Sequence, residues 1–329
     1  MTPLLLHPSQ YPEAIRRELH DSLRSGTINH RFHYDSPRQT LRWLSLHEKH
    51  SPARHDRGVQ KIYRTAAAHF AAGFGGRNVT VISLGCGGGH KDLDVLRALG
   101  SRGVRTTYAP ADISAAMVTT AREHIRRGCH APCAPGLVVS LTALDMKTLT
   151  QWIPSRHPRL FLCFGILPNF PPRELFGLFR TLCRPGDALM LGANLAPGTD
   201  FMGGMRRILP QYDNREMREW LCLFPRDHGL PLTPADIRFS ISPCPAKTGL
   251  YRIDARARMT RGTTLTLDGE KFRYPRGRIL NLFYSYRHQP STLVTGLVRS
   301  GFTLPSTFIA PSGEEGVCLT VRSNSVLSI

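Results

Sequence analysis

The chain has 329 residues, 41% of them hydrophobic and 20% charged, with eight Cys and a formal net charge of +19 at pH 7. Such a composition excludes intrinsic disorder, and no apolar run approaches the length of a membrane-spanning helix, so one large or two smaller globular domains are expected. Only six of the 43 basic residues are Lys, and the Arg are scattered through every segment rather than gathered in a stripe, which argues against a nucleic-acid footprint and leaves an acidic small ligand open.

The N-terminal MTPLLLHPSQYPEAIRR has three leucines with no basic residue before them and does not read as a signal peptide. Most of the Cys stand singly, so a reduced, cytoplasmic protein is expected. Cys129 and Cys133, near His124 and His130, offer metal-ligating atoms. Their C-x3-C spacing lacks a second paired half and lies in a Pro-rich loop, so an ordinary loop is expected and no metal is required.

Apolar residues recur every four from Tyr11 to Arg24 and predict a helix stopped by Ser25 and Gly26. The stretch INHRFHYDSPRQTLRWLSLHEKHSPARHD follows, helical only from Gln39 to Leu46, and a helix from Val59 to Phe70 leads through AAGFGGRN to a strand over Val79 to Leu84. Helix and strand then alternate. A second strand closes at Asp112, LVVSLTALD predicts a third ending at Asp145, RLFLCFGILPNF a fourth ending near Asn169, and ALMLGANLA a fifth. Apolar strands separated by helices predict a doubly wound, mainly parallel α/β sheet. After Pro197 a short helical stretch from Asn214 to Leu223 precedes the segments IRFSIS, LYRIDARARM, TTLTL, EKFRY and ILNLFYSY, which predict antiparallel strands. A helix from Pro290 to Ser300 and a hairpin around SGEEG close the chain. Two domains follow from this rhythm: 59–197 plus 288–329 for cofactor, and 1–58 plus 198–287, α+β in character, for substrate.

The chemistry concentrates in NVTVISLGCGGGHKDLDVLRALG, a strand, a turn with Gly85, Gly87 and Gly89 at alternate places, and a helix. Such a turn lets backbone approach a ligand and aims helix N–H groups at it. A dinucleotide fingerprint needs a third Gly at position 90, where His90 stands, and no Gly-Lys-Ser/Thr phosphate loop follows. Alternating glycines with an acid closing the second strand suit S-adenosylmethionine (SAM), whose product is S-adenosylhomocysteine. Asp112 is placed to accept the ribose hydroxyls and Asp145 the adenine amino group, with helix N-caps as the competing reading of both. The closing hairpin is typical of class I, Rossmann-like SAM-dependent methyltransferases.

Several segments resemble, in order, motifs of the histidine-specific Nα-methyltransferases of ergothioneine biosynthesis: FHYDSPRQTLRWL, HSPARHD, LGCGGGHKDLDVLRAL, LFLCFGILPNFPPRE, RPGDALMLGANL, LPQYDN and GRILNLFYSYRH. The resemblance implies a cytoplasmic, small-molecule amino-acid N-methyltransferase, monomeric or weakly dimeric, with no membrane partner. It implies cofactor contacts at Gly85, Cys86, Gly87, Lys91, Asp112 and Asp145, and contacts to the amino acid's amine and carboxylate at Tyr34, Asn169 and Tyr212. Tyr34 and Asn169 orient the reacting amine on this reading. The family's paired Glu and Ser fall on Phe283 and Ser285, and its aromatic pair falls among Lys49, His50 and Ser51. An apolar Phe283 cannot accept a hydrogen bond from an imidazole, so a substrate other than histidine is expected. The rival classes are a nucleic-acid-modifying methyltransferase and a non-catalytic interaction module with the same fold.

Overall fold

The computed structural model describes residues 3–50, 55–73, 78–154, 156–245 and 249–323. Residues 51–54 and 74–77, which carry parts of HSPARHD and AAGFGGRN and include Ser51, lie outside the described residues. In chain order the strands are β1 (Leu4–Leu6), β2 (Asn78–Leu84), β3 (Arg105–Asp112), β4 (Gly136–Val138), β5 (Arg159–Cys163), β6 (Ala188–Asn194), β7 (Ile237–Pro243), β8 (Tyr251–Arg258), β9 (Thr263–Leu267), β10 (Glu270–Tyr274), β11 (Ile279–Arg287), β12 (Ser306–Ile309) and β13 (Glu315–Val321). The chain forms two compact units, Met1–Gln10 with His55–Pro197 and His288–Ile329, and Tyr11–Arg54 with Gly198–Arg287.

The first unit is an eight-stranded sheet in the order β1-β4-β3-β2-β5-β6-β13-β12. Strands β1 to β6 run parallel, while β13 lies antiparallel to β6 and β12 antiparallel to β13. The central strands are buried almost throughout, and that is why they read as continuous apolar runs. Ile82, Leu84, Phe161, Cys163, Leu189 and Leu191 share one core with the helices Met146–Trp152, Pro172–Leu182 and Pro290–Arg299. The helices Arg57–Ala72, His90–Gly100 and Ala115–Gly128 pack successively on one another, the last two also against β3. From β2 the chain moves outward through β3 and β4, then returns to place β5 on the other side of β2. Loops leaving β2 and β5 therefore diverge at the point where open α/β sheets bind ligands.

Three expectations are corrected in this unit. Residues 1–10 belong with the sheet, because Leu4–Leu6 add an edge strand by main-chain pairing to β4 while their side chains stay exposed, which leaves no apolar alternation to read. The third strand ends at Val138, and Asp145 lies seven residues beyond it, after a 3₁₀ turn at Leu141–Ala143. The fourth strand ends at Cys163; Gly165, at φ +77°, turns the chain into a 3₁₀ turn over Leu167–Asn169 that carries Asn169.

The second unit pairs a three-stranded antiparallel sheet, β11-β8-β7, with the β9–β10 hairpin and several helices. The helix Pro12–Ser25 begins with Pro at its first position and ends at Gly26, whose left-handed φ of +73° lets its N–H reach the Ser22 carbonyl. A helix over Phe201–Tyr212, absent from the sequence reading, precedes Arg215–Leu221, which Asn214 caps by accepting the Met217 N–H. Its interior Pro210 explains why that segment did not read as helical. In β11 an irregularity between Asn281 and Phe283 leaves Leu282 unpaired, so Leu280, Phe283 and Ser285 all face the side that Ala257, Ala255 and Ile253 occupy on β8. Without that extra residue Phe283 and Ser285 would point to the opposite face.

Candidate active site

At the C-terminal end of β2 the chain enters Gly85, Gly87 and Gly89 with φ of +68°, +50° and +74°, a left-handed sequence that side-chain-bearing residues resist. Each glycine answers a different demand. A Cβ on Gly85 would lie 2.2 Å from Ile166 Cδ1, so the turn after β5 packs directly on this one. A Cβ on Gly89 would lie 3.0 Å from the Cα of Ala121, where the helix Ala115–Gly128 crosses. At Gly87 a Cβ would meet nothing within 4 Å, which leaves that backbone open to a ligand.

Asp112 closes β3 and is buried. Its carboxylate accepts the Gly87 N–H at 3.0 Å through Oδ2 and the Ser114 N–H at 3.0 Å through Oδ1. Burial pushes its pKa up, and the backbone donors from Ser114, Gly87 and Ile113 oppose that shift. A carboxylate offers about four lone-pair sites, so these backbone donors leave acceptor capacity for a ribose hydroxyl. Turn and carboxylate together fit SAM: one open backbone edge, one helix N-terminus and one buried acceptor held in place. Cys86 contributes main chain only, since its thiol is packed with Val118, Ala121 and Val138 and burial holds its pKa well above the usual thiol range.

Lys91 follows in the first turn of the helix His90–Gly100. Its ammonium is paired with the buried Glu315 of β13, donates to Tyr63 Oη at 2.8 Å and lies 4.4 Å from the Tyr63 ring centre. Tyr63 Oη in turn donates to Glu315. Asp92, one residue on, is buried, accepts from Tyr108 Oη at 2.5 Å and is pushed up to about 6 by desolvation. Sequence reasoning assigned Lys91 to the cofactor, whereas here its ammonium engages Tyr63 and Glu315, and it singled out none of Tyr63, Glu315 and Asp92; the acid in the SGEEG loop was the available signal. Asp145 is exposed and accepts the Thr148 N–H at 2.7 Å, so it caps the helix Met146–Trp152, and that bond lowers its pKa. Asn169 is half-buried in the 3₁₀ turn whose Ile166 abuts Gly85.

Tyr34, Tyr212, Phe283 and Ser285 all lie in the second unit, the first three within one aromatic cluster. Tyr34 sits 5.6 Å from both Trp43 and Trp220, and Phe283 sits 6.2 Å from both Trp220 and Tyr212, centre to centre. Tyr212 Oη and Ser285 Oγ are 2.8 Å apart, and Arg287 Nη2 donates to Tyr212 Oη at 2.8 Å. His33 is buried behind Trp220 with Nε2 2.6 Å from the Leu282 carbonyl, and His30 stacks 4.9 Å from Phe283. Burial holds their pKa values down to about 4 and about 3 respectively, with His33 and Arg252 adding to the shift on His30. Arg287 and Trp220 escaped sequence reasoning, although Arg287 stands two residues after Ser285 on a strand, hence on its face.

The sheet order, the glycine turn beside its point of reversal and the buried acid closing the neighbouring strand define a class I SAM-dependent methyltransferase fold, extended by an α+β unit. Residues 15–202 match the family described as histidine-specific methyltransferase, SAM-dependent, and the chain belongs to that family, whose cofactor is SAM. Over 162 residues the chain is 26% identical to a histidine N-alpha-methyltransferase of Mycobacterium tuberculosis (strain CDC 1551 / Oshkosh); the match covers 48% of this chain and 46% of that protein, about half of each. Among solved structures it is similar to the mitomycin 7-O-methyltransferase MmcR, with a TM-score of 0.43 and 15% identity over 96% of this chain and 70% of that one. It is similar to the CMeT domain of citrinin polyketide synthase with a TM-score of 0.44 and 14% identity over 89% and 59%. Among the described residues no helix is long and apolar enough to cross a membrane.

Proposed function

We propose that the protein is a cytoplasmic SAM-dependent N-methyltransferase whose acceptor is the amino group of an amino acid or an amino-acid-derived metabolite other than histidine. The observation that carries this reading is the clasp of Asp112 to the Gly87 N–H, which fixes a buried carboxylate beside open backbone. Bound there, SAM supplies a methyl group already activated on a sulfonium. Asp112 and the glycine turn hold the ribose, and Asn169 orients the acceptor amine with its lone pair free, since positioning is the main task left to protein in such a transfer. Histidine is disfavoured because Phe283, 6% exposed among His30, Trp220 and Tyr212, offers no acceptor for an imidazole N–H.

A thermal-shift screen with S-adenosylhomocysteine and a panel of amino acids tests this, because a ligand selective for the native state raises Tm. The expected result is a rise with S-adenosylhomocysteine and a further rise with one amino acid other than histidine. Asn169→Ala is expected to remove turnover while leaving S-adenosylhomocysteine affinity within about threefold; loss of both together contradicts its assignment to the acceptor.

A further inference from the structure

Beneath the glycine turn lies an acid that no ion pair among the described residues neutralises. Asp92 stands in the first turn of the helix His90–Gly100 and is 2% exposed. Tyr108 Oη of β3 donates to it at 2.5 Å, and Ser83 of β2 gives a second side-chain hydrogen bond. Both partners are neutral, and the neighbouring Lys91 is committed to Glu315 and Tyr63. Desolvation therefore pushes the Asp92 carboxyl up to about 6, opposed by those two hydrogen bonds and by Lys91. The other ionisable groups whose charge reaches it are Asp112 and Tyr108 on β3, Cys86 in the turn, Tyr63 on the helix Arg57–Ala72 and Cys163 on β5. Burial pushes both thiols and both phenols up, so they stay neutral at pH 7. Further along the helix, Arg64, Arg97 and His124 act on Asp94. Asp92, Asp112 and Glu315 thus set buried acids against Lys91 in a chain whose net charge is +19.

SAM is a cation overall, with a sulfonium and an ammonium against one carboxylate, and loss of its methyl group leaves S-adenosylhomocysteine neutral overall. We propose that ionised Asp92 gives this site a preference for the cationic cofactor over the neutral product, as a positioning residue that acts through its field and its hold on the glycine-turn helix rather than by contact with the reacting atoms. A buried charge acts over several ångströms with little screening by salt, and one without an ion-pair partner is completed by a bound cation. The same charge favours exchange of spent product for fresh cofactor. The inference rests on the family's cofactor and is independent of which acceptor is methylated.

The test is calorimetric binding, from pH 5 to pH 8, of S-adenosylhomocysteine and of sinefungin, a stable analogue in which an amine-bearing carbon replaces the sulfonium and restores the positive charge. For wild type the affinity ratio of sinefungin to S-adenosylhomocysteine is expected to fall by about fivefold or more as pH falls through about 6, because a bound cation favours ionised Asp92 and protonation removes that attraction. Asp92→Asn is expected to hold the low-pH ratio at every pH and to change S-adenosylhomocysteine affinity by less than about threefold. Its ligand-free Tm at pH 7.5 should equal or exceed that of wild type, since a buried charge has been removed. Tyr108→Phe takes a donor from the carboxylate and is expected to move the fall to higher pH. A wild-type ratio that is flat with pH, or a ratio and profile that Asp92→Asn leaves as in wild type, overturns the proposal. Equal loss of both ligands together with a lower Tm overturns it too, and assigns Asp92 to the fold alone. Binding of neither ligand to wild type overturns the cofactor site itself.

Discussion

A Cβ at Gly87 meets nothing within 4 Å, whereas one at Gly89 meets the Ala121 backbone at 3.0 Å, yet both residues have positive φ. Gly87→Ala should therefore cost only the left-handed penalty, about 1–2 kcal/mol, while weakening S-adenosylhomocysteine binding by tenfold or more through obstruction of the open edge. Gly89→Ala should lower Tm further, because backbone cannot retreat as a side chain can. Paired calorimetry and melting curves check both; equal loss of affinity and of stability in the two variants would contradict the division. Asp112→Ala should weaken S-adenosylhomocysteine most, because it removes the ribose acceptor and the Gly87 anchor together. These residues were legible in the sequence because a left-handed turn selects Gly and a strand-closing acid stands out. Trp220, Arg287 and Glu315 were not, since each acquires its role from partners far along the chain: Phe283, Tyr212 and Lys91.

The element that holds the closing hairpin to the glycine-turn helix is the contact of Lys91 and Tyr63 with Glu315. Lys91→Met leaves Glu315 buried without its cation and should cost up to about 3 kcal/mol. Glu315→Gln should cost less, because Lys91 keeps 21% of its side chain in water. Chemical denaturation of the two variants gives the order, and the reverse order would contradict it. The 3₁₀ turn His30–His33 makes a second, pH-linked contribution. Both histidines have folded pKa values, about 3 and about 4, below the unfolded value of 6.5, so the unfolded chain takes up their protons first as pH falls. Stability from keeping them neutral is full above about pH 6.5 and is lost as pH falls from there toward about 4 and then 3, at roughly 1.4 kcal/mol per pH unit for each. Urea midpoints at pH 7, 6 and 5 should fall steeply, and His33→Gln should flatten the slope; equal slopes would refute the assignment. Helix–strand alternation through the sheet was legible because those strands are buried on both faces. Strand ends were less so: the apolar run through Asn169 continues from strand into 3₁₀ turn without a change in hydrophobicity, and only Gly165 marks the boundary.

For the molecule as a whole, acids match part of the basic residues, as Glu270 does Arg24, Glu123 does Arg126 and the buried Asp187 does Arg159, and the excess that makes up the net charge of +19 is scattered along the chain rather than gathered in a stripe. Binding to RNA or heparin should accordingly be weak, indifferent to sequence and abolished at moderate salt, with no competition from S-adenosylhomocysteine; salt-resistant, sequence-selective binding would favour a nucleic-acid substrate. The aromatic cluster of the second unit was the least legible feature, because it is assembled from Tyr34, Trp220 and Phe283, which stand far apart in the chain. Methyl transfer itself is the most direct measurement. Incubation of the protein with SAM labelled in its methyl group and a pooled amino-acid panel, read by mass spectrometry, should place the label on the α-nitrogen of one amino acid and leave histidine unlabelled. Label on histidine would contradict the substrate assignment, and no labelled amino acid from protein that binds S-adenosylhomocysteine would contradict the function proposed.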